Sequence, residues 1–97
     1  MTEAKRAVRV NPSTMHRVLQ GEGVLLQLDT GEYYGLDEVG QRMWELLVEL
    51  GDLDRVVAAL QKEYDVDTET LSADLARLVD ELVDKKLIET EAVGPAA

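Results

Sequence analysis

The sequence predicts an α+β domain, a small three-stranded antiparallel sheet followed by a three-helix bundle. Three observations carry this. Between residues 14 and 36, short apolar runs are separated by glycine-containing turns, as in a meander. At Asp37 the apolar period changes from two to 3.6. Three apolar-periodic stretches then follow Asp37, Asp52 and Asp67, each an aspartate suited to accept from the free N–H groups of a first helical turn.

In order, residues 1–4 are expected to fray. Lys5–Val10 alternates weakly, so residues 1–13 read as a flexible arm or a first edge strand. Asn11-Pro12-Ser13 is a turn signal. Residues 14–20 hold Met15, Val18 and Leu19 and read as a strand. Gly21-Glu22-Gly23 is read as a hairpin turn, since glycine takes positive φ without strain. Residues 24–28 form the clearest strand, and Asp29-Thr30-Gly31 a second turn. Glu32, Tyr33, Tyr34, Gly35 and Leu36 form the next strand, whose two tyrosines suit a pleated surface.

The first helix carries Val39, Met43, Leu46, Leu47 and Leu50, widened by Trp44, and stops at Gly51. The second places Leu53, Val56, Val57, Leu60 and Tyr64 on one face. The third and longest carries Leu71, Leu75, Leu78, Val79, Leu82 and Val83, with Lys85 and Lys86 at its negative end. Leu87-Ile88-Glu89 reads as a short terminal strand or an extended tail, and residues 91–97 as a disordered tail, leaving 14–90 as the domain.

Ninety-seven residues with net charge -10 make one acidic domain. Residues 1–20 hold four cations against Glu3, so 6 basic and 19 acidic groups remain beyond them. Phosphate backbones repel such a surface, and nucleic acid is not an expected partner. The lack of cysteine excludes disulfides and thiolate chemistry and fits a reducing cytosol. No apolar run is long enough to span a bilayer, and the first ten residues hold no apolar signal core, so neither a membrane nor a signal peptide is expected.

Catalysis has little to use. His16 is the single histidine, and no nucleophile motif surrounds Ser13 or Ser72, so His16 reads as a surface or rim residue. The carboxylates lack the spacing of a calcium loop and the glycines that of a phosphate loop. No metal or other cofactor is expected, and the chain is not expected to be an enzyme. A small sheet with three helices also describes a winged helix-turn-helix, but the third helix carries six carboxylates against Arg77, Lys85 and Lys86. A helix entering the major groove shows the opposite balance.

Peptide binding remains. Residues 32–36 end the meander, so one edge of that strand has no evident partner and can accept an extended peptide. The third helix has apolar residues on more than one stripe, enough to pack on its neighbours and also line a groove.

The ordered set His16-Arg17-Val18-Leu19, residues 23–37, Met43-Trp44-Glu45-Leu46-Leu47, Tyr64-Asp65-Val66-Asp67 with Asp74, and residues 82–89 resembles the PqqD-like family, the precursor-peptide recognition elements of ribosomal peptide natural-product pathways. The chain departs in having Asp37 where the family more often has Asn, and both cap helices well. With no enzyme in these residues, the expectation is the free recognition protein of lasso peptide biosynthesis. The resemblance implies a leader peptide lying between the last strand of the meander and the third helix. Carried over, the binding residues are Glu32, Tyr33, Tyr34, Gly35 and Leu36 on the strand and Leu71, Asp74, Leu75 and Leu78 on the helix. Alternation puts Tyr33 and Tyr34 on opposite sides, leaving open which of them faces the leader. Implied partners are the precursor's leader peptide, a separate leader peptidase of the transglutaminase-like cysteine protease kind, and indirectly an ATP-dependent cyclase. The alternatives are a PqqD-type chaperone for a radical enzyme and a winged-helix regulator.

Overall fold

The computed structural model describes residues 5–93. The elements are β1 (Lys5–Val10), β2 (Thr14–Leu19), β3 (Glu22–Gln27), β4 (Tyr33–Leu36), α1 (Glu38–Leu50), α2 (Leu53–Glu63), α3 (Thr68–Asp84) and β5 (Ile88–Val93). The α+β architecture is the expected one: β2, β3 and β4 form a three-stranded antiparallel sheet in that order, followed by three helices.

A second, two-stranded sheet pairs β1 with β5 antiparallel, from Lys5 opposite Val93 to Val10 opposite Ile88. It is anchored to the helices where Val8 N–H donates to Gly51 C=O at 3.0 Å. Residues 1–4 and 94–97, including most of the expected tail, lie outside the described residues, while 91–93 are strand rather than tail.

The β2–β3 hairpin corrects one boundary. The turn is Gln20-Gly21, with φ of 54° and 83°, and Leu19 pairs with Glu22. That is the two-residue, positive-φ turn whose twist matches its strands. Glu22 and Gly23 are therefore strand residues. A Cβ built on Gly23 would overlap Gln41 Oε1, so this glycine serves the close approach of α1.

Gly31 takes φ 78°, and its N–H donates to Gln27 C=O at 2.8 Å. Gln27 N–H donates to Glu32 C=O at 2.8 Å. Two residues thus face one, the arrangement of a glycine bulge, which pins where β4 begins. Leu28, expected in the strand, is exposed in the turn.

The three caps are as expected. Asp37 accepts from Gly40 N–H at 2.7 Å, Asp52 from Asp54 N–H at 2.8 Å, and Asp67 from Thr70 N–H at 2.7 Å. Gly51 closes α1 with φ 67°. Tyr64 is not helical; it is the extended C-cap of α2 and packs at the core margin. α3 ends differently from α1. Lys86 takes φ 62°, its N–H bonds Val83 C=O at 3.0 Å, and Leu87 N–H bonds Leu82 C=O at 2.9 Å. This pair of bonds is a Schellman motif with lysine where glycine is usual, and buried Leu82 and Leu87 supply its apolar contact.

One core joins Leu25 and Leu36 from the sheet to Met43, Trp44, Leu46 and Leu47 of α1, Val56 and Leu60 of α2, and Leu71, Leu75, Leu78, Val79 and Leu82 of α3. Arg42 bridges α1 to Glu63 of α2 at 2.6 Å. Among the described residues, no helix is long and apolar enough to cross a membrane.

A left-handed non-glycine residue costs about 1–2 kcal/mol, partly offset in a glycine variant by the freer unfolded chain. Lys86→Gly is expected to raise unfolding stability by about 0.5–1 kcal/mol, read by urea denaturation. Leu75→Ala is expected to lower it by about 2–5 kcal/mol.

Candidate peptide-binding groove

Among the described residues β4 pairs only with β3. The register sets Gly23 against Leu36, Val24 against Gly35, Leu25 against Tyr34 and Leu26 against Tyr33. Because Gln27 and Glu32 form a hydrogen-bonded pair, alternation makes Tyr34 and Leu36 the next residues bonded to β3. The N–H and C=O groups of Tyr33 and Gly35 therefore point away from the sheet, along an open edge.

α3 runs beside that edge without closing it. Between them lies a groove of about 470 Å³. Tyr34 and Gly35 form one wall, and Asp74, Arg77, Leu78 and Glu81 of α3 the other. Leu36, Val39, Gly40 and Met43 complete the lining where β4 enters α1. The helix wall follows from spacing: positions 74, 77, 78 and 81 share one stripe of a helix.

Two contacts join the strand side to the α3 side, the first across the groove and the second outside its lining. Tyr34 O–H donates to Glu81 Oε1. Lys85 Nζ lies 3.7 Å from Glu32 Oε2. Arg77 pairs with Asp74 at 3.0 Å within its own wall. Asp37, Asp74 and Glu81 face the groove against one guanidinium, so its field is negative. The Tyr34 hydroxyl is pushed up to about 12, first by burial and then by its bond to Glu81.

The structure brings together five of the nine expected binding residues: Tyr34, Gly35, Leu36, Asp74 and Leu78. Glu32 precedes β4, pairs with Lys85 beyond the end of α3 and does not line the groove. Tyr34 is the tyrosine facing α3. Tyr33 projects from the other side of the sheet, 72% exposed, although its backbone borders the open edge. Leu71 and Leu75 are not in the groove. Both are core, Leu75 only 1% exposed, because that stripe of α3 faces the helix bundle. Arg77 and Glu81 were missed; their three- and seven-residue offsets from Asp74 were the available signal.

His16 stands apart. Its Nε2 lies 2.9 Å from Gln41 Oε1, and its ring 5.8 Å from that of Trp44. Gln41 donates in turn to Glu45 at 3.0 Å. This half-buried network joins β2 to α1. Among the described residues, no three His, Cys, Asp or Glu side chains meet as a metal site.

Comparison with known proteins adds to this geometry. The chain matches the family described as coenzyme PQQ synthesis protein D (PqqD) over residues 22–88. It is similar to the solved structure of TbiB1 in complex with the TbiA(beta) leader peptide, at 37% identity and a TM-score of 0.78, covering 92% of this chain and 99% of that one. It also shares the fold of a lasso peptide synthetase B1 complexed with the leader peptide, at 24% identity and a TM-score of 0.77, covering 86% of this chain and 98% of that one. No curated protein matches it.

The Tyr34 phenol gives a pH prediction. Its folded pKa lies above the ordinary tyrosine value, so the folded protein holds the proton longer. The stability it contributes is complete below about pH 10 and falls away between about pH 10 and 12. Tyrosinate absorbance, taken as the difference from Tyr34→Phe, should place this titration near 12 and move it downward in Glu81→Gln.

Proposed function

This chain belongs to the PqqD family, and we propose that it is a non-catalytic adaptor that binds the leader segment of a ribosomally made precursor peptide. The leader adds as an extended strand on the open edge of β4, in the groove against α3. Residues 14–90 serve as the recognition domain. The bound precursor is then presented to a separate leader peptidase of the transglutaminase-like cysteine protease kind, and through it to the cyclase of lasso peptide biosynthesis.

The observation that carries this reading is the pair of outward-facing backbone units, Tyr33 and Gly35, beside a lined groove. Strand addition draws affinity from main-chain hydrogen bonds and selectivity from pockets for alternate side chains. Leu36, Met43 and Leu78 offer apolar surface to those side chains, while Tyr34, Gly35, Asp74, Arg77 and Glu81 form the rims. Glu32 and Tyr33 border the entry. Leu71 and Leu75 act indirectly, by holding α3 in place. The negative rim favours a leader carrying basic residues, so affinity should fall with added salt. The TbiB1 likeness, at 37% identity with a leader peptide in that complex, favours this reading over a chaperone for a radical enzyme. A DNA-reading role is disfavoured by the carboxylates on α3.

The test separates backbone from side chain. Gly35 N–H points outward, so Gly35→Pro removes a donor from the open edge without breaking a bond to β3. Nothing lies within 4 Å of a Cβ at Gly35. Leader peptide from a precursor encoded beside this chain's gene, titrated calorimetrically, should bind Gly35→Ala as it binds the native protein. Binding to Gly35→Pro should be at least about tenfold weaker, the scale of a lost hydrogen bond plus a crowded edge. Equal binding by both folded variants would remove strand addition at β4.

A further inference from the structure

We propose that Gln27 is a positioning residue for peptide capture, tying the turn before β4 to the end of α3 and so setting the spacing of the two groove walls. The inference rests on the groove being the leader site.

Gln27 ends the inward row of β3, after Gly23 and Leu25, and is 1% exposed. A polar side chain in such a row costs free energy unless its hydrogen bonds are made. All of its polar atoms are engaged. Oε1 accepts from Asp29 N–H at 2.6 Å and Thr30 N–H at 3.4 Å. Nε2 donates to Lys86 C=O at 2.9 Å. The amide has one sensible orientation, since flipping it would set its NH₂ against two N–H donors and its oxygen against a carbonyl. A leucine here would join nothing.

What it joins is specific. Asp29 and Thr30 sit in the turn that delivers the chain to Tyr33, the first residue of β4. Lys86 is the left-handed residue closing α3. One buried amide thus holds the start of one wall and the end of the other. The second link there, Lys85 to Glu32, is long at 3.7 Å, only partly buried, and weak. Between the ends the exposed Tyr34–Glu81 hydrogen bond also spans the groove, and at the far end β4 continues into α1, not α3. The tie between the walls that is shielded from water is the Gln27 amide. Holding them at the bound spacing before the peptide arrives raises affinity by lowering the ordering cost, and loosening them lowers affinity by the fraction of time the walls are misplaced.

The experiment uses a leader peptide that the native full-length chain already binds saturably, so its outcome is separate from failure of the site reading. Gln27→Glu keeps an acceptor for Asp29 and Thr30 but, when ionised, has no donor for the Lys86 carbonyl. Burial raises such a carboxyl, and its protonated form donates again. Relative to the native chain at each pH, affinity should be about tenfold weaker at about pH 8 and recover at about pH 5. Gln27→Met, close in volume and without donors, should be about tenfold weaker at both. Val79→Ala, destabilised away from the groove, should bind as the native chain does while folded. A purely structural role would make the Gln27 variants behave like Val79→Ala. Native-like affinity in folded Gln27→Met, or pH-independent native-like affinity in Gln27→Glu, would overturn the proposal. Should Gln27→Glu unfold at high pH, its low-pH affinity and that of Gln27→Met decide.

Discussion

Two buried amides fix how the sheet sits on the helices, and the one at Gln27 governs the functional side. Its oxygen gathers the turn before β4 and its nitrogen reaches the Schellman end of α3. Gln41 does the equivalent at the other side of the sheet, lying against Gly23 and bonding His16 and Glu45. Most other sheet–helix contact is apolar and non-directional, so it supplies stability but not registry. Directional bonds set distances between elements, and here they leave β4 and α3 parted by a groove.

An open edge is ordinarily a hazard, because it templates pairing with any extended chain. This one is restricted in ways that suit a selective binder. β4 is four residues long, and α3 stands beside it like a second lip. Carboxylates at Asp37, Asp74 and Glu81 discourage a copy of the same acidic chain from entering. An arriving strand must therefore fit the space as well as offer backbone groups. That physical filter is what turns an unpaired edge into the proposed peptide site, with no side chain of the groove required to make or break a bond.

Local chemistry was legible in the sequence, and long-range chemistry was not. Asp37, Asp52 and Asp67 cap the helices as read, because a cap is decided within three residues. The β2–β3 turn was misplaced because two glycines flanked Glu22 and the first of the two left-handed positions fell to Gln20, not a glycine. The pairing of β1 with β5 joins segments about eighty residues apart, for which no local pattern speaks. On α3, the family resemblance carried Leu71 and Leu75 into the groove, and the apolar pattern alone left the groove-facing stripe open. Which stripe faced α2 depended on tertiary packing, and that left Leu78 at the margin with Asp74, Arg77 and Glu81. Gln27 gave no signal, since a glutamine in a strand usually faces water.

Residue-resolved amide exchange, with and without bound leader, tests the central claim most directly. In the free protein Tyr34 and Leu36 amides should already be protected by β3, and those of Tyr33 and Gly35 should exchange freely. On leader binding the account predicts that protection appears at Tyr33 and Gly35 and changes little at Tyr34 and Leu36. Saturable binding that leaves Tyr33 and Gly35 unprotected would contradict it.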